Sequence, residues 1–166
     1  MLTRWQKMAA ILTAAALLSV GVEMALAHDH DHEHAHDEGG AAQLTLNNGK
    51  KWTTDDKLRL GMNRIRDALA AELPAIRTGK IAAEQYRQLT RKVNDQIAFM
   101  VQNCKLDRDT DAMLHLVLAD ITAGADAMTG QDGSEARKGA EKIVRALDNY
   151  GTYFYHPGWH GVKPAH

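Results

Sequence analysis

The chain of 166 residues is short of the features that most often reveal a function. Cys104 is its only cysteine, so no disulfide can form within it. Only three prolines occur, and the glycines lie mainly between apolar-periodic segments, which favours helices over a β-sandwich. Basic and acidic side chains number 20 and 21 without a basic stripe, so we expect no nucleic-acid partner.

Catalytic motifs are also missing. The sequence has no glycine-rich phosphate loop, no nucleophile elbow and no His-Glu-x-x-His pattern. The paired Glu-x-x-His motifs of di-iron helical proteins do not occur either. We therefore predict that the protein is not an enzyme.

Residues 1–27 have the three parts of a secretory signal peptide. Arg4 and Lys7 give a positive start, an apolar stretch follows, and Ala25-x-Ala27 is a small-residue cleavage signal. The apolar stretch is shorter than the roughly 20 residues of a spanning helix, which disfavours an uncleaved anchor. We expect cleavage after Ala27 and a soluble chain in a bacterial periplasm, without a membrane partner after cleavage. Removing Arg4, Lys7 and Glu23 leaves 18 basic and 20 acidic side chains.

Residues 28–43 form a polar, histidine-rich segment that is too poor in apolar residues to fold alone, so we predict a disordered tail. Histidine alternates there with acidic residues, and neutral imidazole suits Cu(II), Ni(II) and Zn(II). A flexible segment of this kind is suited to capturing or buffering metal ions rather than to catalysis. The candidate metal ligands in the tail are His28, His30, His32, His34 and His36.

Cleavage after Ala27 would also create a sharper site. The new amino terminus would read His28-Asp29-His30. A free terminal amine, two deprotonated backbone amides and the imidazole of a third-position histidine place four nitrogens in a plane around Cu(II) or Ni(II). Cleavage one residue away would destroy this clamp and leave only the loose tail.

Four segments of residues 44–160 carry apolar residues at helical spacing, and residues 161–166 form a short C-terminal tail. Short connections between amphipathic helices predict an all-α fold, an antiparallel up-down four-helix bundle. The first two stripes are Leu58, Met62, Ile65, Leu69, Leu73 and Ile76, then Leu89, Val93, Ile97, Met100, Val101 and Cys104. The third and fourth are Leu114, Val117, Leu118, Ile121, Ala125 and Met128, then Ala140, Ile143, Val144, Leu147, Tyr150, Gly151 and Phe154. The expected boundaries are a Thr53-Thr54 cap for the first helix, about Ile81 to Cys104 for the second, an Asp109 or Thr110 cap for the third, and Ser134 to Pro157-Gly158 for the fourth.

Two further groups of residues are candidate sites. The hairpin between the second and third helices carries soft ligands suited to Cu(I), namely Met100, Cys104, Met113 and His115, although methionine and free cysteine are ordinary core residues.

The end of the fourth helix concentrates aromatic residues with His156 and His160. We interpret this end as an aromatic plug beside Trp52, with a metal or haem site at either histidine as the alternative.

The layout of residues 53–160 resembles the small periplasmic four-helix-bundle cytochromes, including their non-covalent b-type members. That resemblance implies haem b, held by a methionine near the start of the first helix and a histidine near the end of the fourth. Met62 and His156 are the matching positions here. The sequence has no Cys-x-x-Cys-His motif, which excludes covalently attached haem. The segment Leu46–Trp52 and the ending Tyr153-x-x-His156-Pro157-Gly158-Trp159 also look like exported bacterial helical proteins of unknown activity.

Three classes of function therefore compete: a metal-binding or metal-buffering protein, a haem protein, and a metal-independent interaction module. Bundles of this kind often pair through an outer helix face, so a homodimer stays open as an alternative. No unpaired apolar stripe is evident in the sequence that would select it.

Overall fold

The computed structural model describes residues 43–130 and 132–163, which form four helices and no strand. These are α1 (Asp56–Arg77), α2 (Ala83–Asn103), α3 (Arg108–Met128) and α4 (Gly133–Tyr153). Each helix packs against the next, and α4 packs against α1, so the four close into a bundle. The predicted all-α four-helix bundle is confirmed. The predicted signal peptide, residues 28–42 of the predicted tail and residues 164–166 lie outside the described residues.

Contacts between helix ends give the relative directions of neighbouring helices. Gln85, near the start of α2, donates to Glu72 near the end of α1 at 3.3 Å. Arg64 in the first half of α1 donates to Gln96 in the second half of α2, also at 3.3 Å. These two contacts require α1 and α2 to run antiparallel. The buried hydroxyl of Thr90 donates to the Ala125 carbonyl oxygen and joins α2 to α3 in the same way.

Aspartates cap three of the helices. Each carboxylate accepts a hydrogen bond from a backbone N–H in the first turn, and its charge suits the positive end of the helix dipole. Asp55 accepts from Leu58 N at 2.7 Å, Asp107 from Thr110 N at 2.9 Å and Asp132 from Ser134 N at 2.8 Å. The predicted caps at Thr53-Thr54, at Asp109 or Thr110 and at Ser134 are therefore wrong, because a nearby aspartate takes the position in each case.

The ends of α2 and α4 also differ from the sequence expectation, whereas α1 extends along its whole predicted stripe. Pro74 lies inside α1, which continues to Arg77. The second helix ends at Asn103, and Cys104 is its C-cap in extended conformation. The fourth helix stops at Tyr153, ahead of Pro157, because Phe154 already has an extended backbone.

The apolar stripes form one core that runs through all four helices. All six predicted residues of the α1 stripe are buried, as are those predicted for α3. In the predicted α2 stripe Leu89, Val93 and Met100 are buried and Ile97 and Cys104 are half-buried, whereas 64% of the surface of Val101 is exposed. It lies about 100° around the helix from the buried Met100, which turns it out of the core.

Segments from the two ends of the described chain are joined beside the bundle. Trp52 N donates to the Tyr153 carbonyl oxygen and Tyr155 N donates to the Trp52 carbonyl oxygen, each at 2.8 Å. A turn at Asn48-Gly49 precedes this bridge, with both residues at positive φ. The buried Trp52 side chain is held by its Nε1–H, which donates to the Thr45 carbonyl oxygen at 2.6 Å.

Helices α3 and α4 approach closely where two glycines meet. A Cβ atom on Gly139 would lie 2.5 Å from the Gly124 carbonyl oxygen and 2.9 Å from the Ala127 Cβ. Since the first of these atoms is backbone, neither helix can yield without separating. The close approach therefore requires glycine at position 139.

We expect Gly139→Ala to lower the free energy of unfolding by about 1–3 kcal/mol, because the methyl group overpacks the α3–α4 contact. The matched control is Gly133→Ala, where a Cβ would meet nothing within 4 Å. The control should be neutral or stabilising by up to about 1 kcal/mol. Urea unfolding followed by circular dichroism measures both, and equal stabilities of the two variants would contradict the prediction.

Candidate functional site

The histidines predicted to bind metal fall into two sets. Only His156 and His160 belong to the described residues, so the geometry bears on these two, on Met62 and on the Cys104 group. The others lie outside the described residues: His28, His30, His32, His34 and His36.

His156 is held against the end of α4 and the start of α1. The extended backbone at Phe154 ends α4 and lets the chain fold back along it. The His156 imidazole therefore meets the ring of Tyr150 edge-on, one turn before the end of the helix. His156 Nδ1 is 3.0 Å from the Tyr150 hydroxyl, and His156 Nε2 is 3.4 Å from the Asn63 amide nitrogen on α1. An amide nitrogen can only donate, so Nε2 accepts and the neutral ring donates to Tyr150 from Nδ1.

Aromatic rings surround this histidine. Tyr150 stacks on Phe154 with ring centroids 5.1 Å apart and meets Trp159 edge-on at 4.8 Å. The His156 and Trp159 rings lie 4.9 Å apart. Trp159 lies directly on Gly151, where a Cβ atom would be 2.6 Å from the indole ring. The arrangement is the aromatic plug predicted for this end of the bundle, and it includes His156.

The electrostatics of the plug favour a neutral imidazole. Burial lowers the pKa of His156 to about 4, and the nearby charges of Arg59 and Arg66 act in the same direction. Arg66 also lies over the Trp159 ring at 5.2 Å. The positive charges that oppose protonation of His156 also oppose the approach of a metal cation to it.

The sequence interpretation missed the α1 side of this site. Arg59, Asn63 and Arg66 follow one another at spacings of four and three, so they lie on one helix face beside the apolar stripe. That spacing could have been read from the sequence. The contact of this helix face with His156 could not be read from the sequence, because the contact depends on how the chain turns after α4.

Met62, the other residue expected to hold haem, lies elsewhere in the packing. Its side chain is fully buried in the core. His156 approaches α1 at Asn63, the next residue, whose side chain points about 100° away from that of Met62. Iron ligation by His156 would therefore break its hydrogen bond to Tyr150 or to Asn63. Haem binding stays a prediction from the resemblance.

His160 is exposed and its Nδ1 lies 3.2 Å from the Gly161 carbonyl oxygen. Within residues 43–130 and 132–163, no three His, Cys, Asp or Glu side chains are grouped so that they could hold one metal ion. The His160 assignment stays a prediction.

The Cys104 group is brought only partly together. Met100, Cys104 and His115 line a cavity of about 150 Å³ between α2 and α3. Met113 is not part of that lining, and its sulfur lies 3.9 Å from the Thr45 hydroxyl. His115 is exposed.

The Cys104 thiol is unsuited to act as a thiolate. Burial raises its pKa to about 12, and the charge and hydrogen bonding of Asp55 contribute, followed by the charge of Asp111. Burial also acts to raise the pKa of Asp55, but hydrogen bonds from the Leu58 and Lys105 amides outweigh it and lower that pKa. Asp55 therefore stays charged beside the thiol, and the thiol remains protonated. The two residues lie where the start of α1 meets the end of α2.

None of the helices in the described residues is both long enough and apolar enough to cross a membrane. The sequence matches no protein-family model, and no curated protein or solved structure is similar to it. The resemblances drawn from the sequence therefore stay predictions.

We expect the stability of the protein to fall as the pH is lowered from about 6.5 towards 4. An unfolded histidine titrates near 6.5, whereas His156 titrates near 4 in the folded chain. The unfolded state therefore binds more protons in this window, and folding is weakened as protons are added.

Urea midpoints at pH 7 and pH 5 measure this effect. His156→Gln keeps a hydrogen-bonding side chain but cannot titrate, so its midpoint should change less between the two pH values than that of the wild type. His115→Gln, at an exposed position, is the control and should behave as the wild type. An unchanged pH dependence in His156→Gln would show that the lowered pKa of His156 is not its cause.

Cys104 should react slowly with a disulfide reagent in the folded protein. Since the thiolate is the reacting form, the rate at pH 8 should be on the order of 100-fold or more below that in denaturant. Asp55→Asn removes the neighbouring charge and should speed the native reaction. Asp56→Asn changes the adjacent exposed carboxylate and should not, so equal rates for the two variants would refute the role of Asp55.

Proposed function

We propose that the protein is an exported metal-binding or metal-buffering protein that takes up Cu(II), Ni(II) or Zn(II) through its histidine-rich segment. The observation that carries the proposal is the sequence at the expected cleavage site. His28 follows Ala27 directly, and five histidines occur within nine residues from that point. Such a density of imidazole ligands among carboxylates suits borderline transition-metal ions.

The strongest ligand set within this segment is the amino-terminal clamp. Cleavage after Ala27 gives His28 a free amine and makes His30 the third residue of the mature chain. Four nitrogen donors in one plane favour Cu(II) and Ni(II) over Zn(II), which prefers a tetrahedral site. The remaining histidines supply weaker sites that would hold additional ions.

The bundle supports this proposal by what its own histidines do. His156 is committed to Tyr150 and Asn63, two arginine charges oppose a cation there, and His115 and His160 lie apart on exposed positions. A folded domain with little affinity of its own would serve as a stable carrier for a metal-binding tail. Leu44, which follows His36 by eight residues, packs against the core. The histidine-rich segment would therefore join the bundle at an anchored point.

Metal binding through imidazole should depend on pH. The ligands must lose their protons to bind, and free imidazole titrates near 6.5. Affinity should therefore weaken as the pH falls below about 6, and binding should release protons. A competition titration that gave the same affinity at pH 5.5 and pH 7.5 would contradict the proposal.

The decisive experiment is a Cu(II) titration of the exported protein after mass spectrometry has fixed its amino terminus. We expect a one-to-one complex with a visible absorption band of square-planar Cu(II), followed by weaker sites. His30→Gln should abolish the first site, while His36→Gln should leave it intact. A variant with one alanine inserted before His28 is the sharpest control, because it retains all five histidines but moves His30 out of the third position.

Loss of the tight site in the alanine insertion would establish the clamp. Multiple weak sites that are equal in all variants would instead support buffering by the loose tail. Absence of binding after deletion of residues 28–38 is expected in either case, and full binding by that deletion variant would refute the proposal.

Haem b binding is the second proposal, and the same preparation tests it. A red protein with a Soret band that is lost in Met62→Ala and His156→Ala would favour haem. A colourless protein that binds no metal would favour a metal-independent interaction module.

A further inference from the structure

The bundle contains an apolar slot between the end of α1 and the start of α4. On its other side α4 packs closely against α3, where Gly139 meets Gly124. The interface of α4 with α1 is much smaller than its interface with α3. Ala140 follows Gly139 and turns towards α1, where its single methyl group leaves the space between the helices unfilled.

The floor of the slot is made of aliphatic side chains. Leu69, Leu73 and Ile76 contribute from successive turns of α1, and Ala140 and Val144 from α4. The volume is about 230 Å³, below the roughly 300–1,000 Å³ of sites for drug-sized ligands. A short alkyl chain or a single ring is the size of apolar group that such a space accommodates.

Charged side chains line the rim. Arg77 comes from the last turn of α1, and Glu141 and Arg145 come from successive turns of α4. Within the described residues neither arginine forms an ion pair, and Glu141 is not within ion-pair distance of Arg145 although it precedes it by one turn. Two guanidinium groups against one carboxylate leave the rim with a net positive charge.

We propose that this slot binds a small apolar carboxylic acid. The hydrocarbon part would lie against the leucines of α1 and Ala140, and the carboxylate would lie at Arg77 and Arg145. Guanidinium groups hold carboxylates in two-point hydrogen bonds, which a simple alcohol cannot reproduce. This site is separate from the histidine-rich segment and does not depend on metal binding.

The test is an NMR titration of the full exported chain with octanoate in a metal-chelating buffer, with 1-octanol as the uncharged counterpart. We expect octanoate to shift the amide signals of the residues that line the slot and to bind more tightly than the alcohol. The double variant Arg77→Gln with Arg145→Gln should weaken octanoate binding by about three- to tenfold, the range of exposed ion pairs. Its affinity for 1-octanol should not change.

Filling the slot tests its position. Ala140→Leu should abolish binding of both compounds, whereas Ala123→Leu on an exposed face of α3 should leave both unchanged. Since Ala140 is buried, circular dichroism must show that the variant is folded, and Val144→Phe at a half-buried position provides a second way to fill the slot.

Octanoate binding that survives in a folded slot-filled variant would place the ligand elsewhere and overturn the proposal. Equal affinities for octanoate and 1-octanol would overturn the role of the arginines. Absence of signal shifts at millimolar octanoate would overturn the site altogether. None of these outcomes bears on the Cu(II) titration of the tail.

Discussion

The close contact of α3 with α4 lies within the largest interface between helices in the described part of the chain. Where Gly124 and Gly139 meet, two backbones approach more closely than any side chain would permit. On its opposite side α4 has a smaller interface with α1. The consecutive residues Gly139 and Ala140 thus serve two sides of α4, the first in the close contact with α3 and the second in the lining of the slot beside α1.

The histidines of this chain illustrate how environment decides what a residue type can do. His156 is enclosed by rings, paired at both nitrogens and opposed by two arginine charges, so it behaves as a neutral hydrogen-bonding part of the plug. The histidines between residues 28 and 36 are surrounded in sequence by carboxylates, which favour cations instead. The same imidazole is therefore structural at one end of the sequence and is proposed as a ligand at the other.

Much of the fold could be read from apolar spacing alone. The stripes of α1 and α3 are buried as expected, since a period near 3.6 leaves little freedom in which face is turned inward. The starts of the helices were harder to predict, because several polar residues in succession can each cap a helix. In the structure the capping residue is the aspartate at position 55, 107 or 132. The glycine contact and the neighbours of His156 depend on distances between elements, which one sequence does not contain. The role of Asp55 could not be read from the sequence for the same reason. Its carboxylate accepts hydrogen bonds from the amides of Leu58 and of Lys105, and Lys105 lies 50 residues further along the chain.

The bridge of Trp52 to Tyr153 and Tyr155 links the order of synthesis to the order of folding. The two sides of this bridge lie about 100 residues apart, so it closes one of the longest loops in the fold and forms at a corresponding entropic cost. Trp52, the first buried residue of the described chain, completes its environment only when the residues after α4 have emerged. A chain exported as proposed could therefore complete this part of the fold only after its last segment has become available.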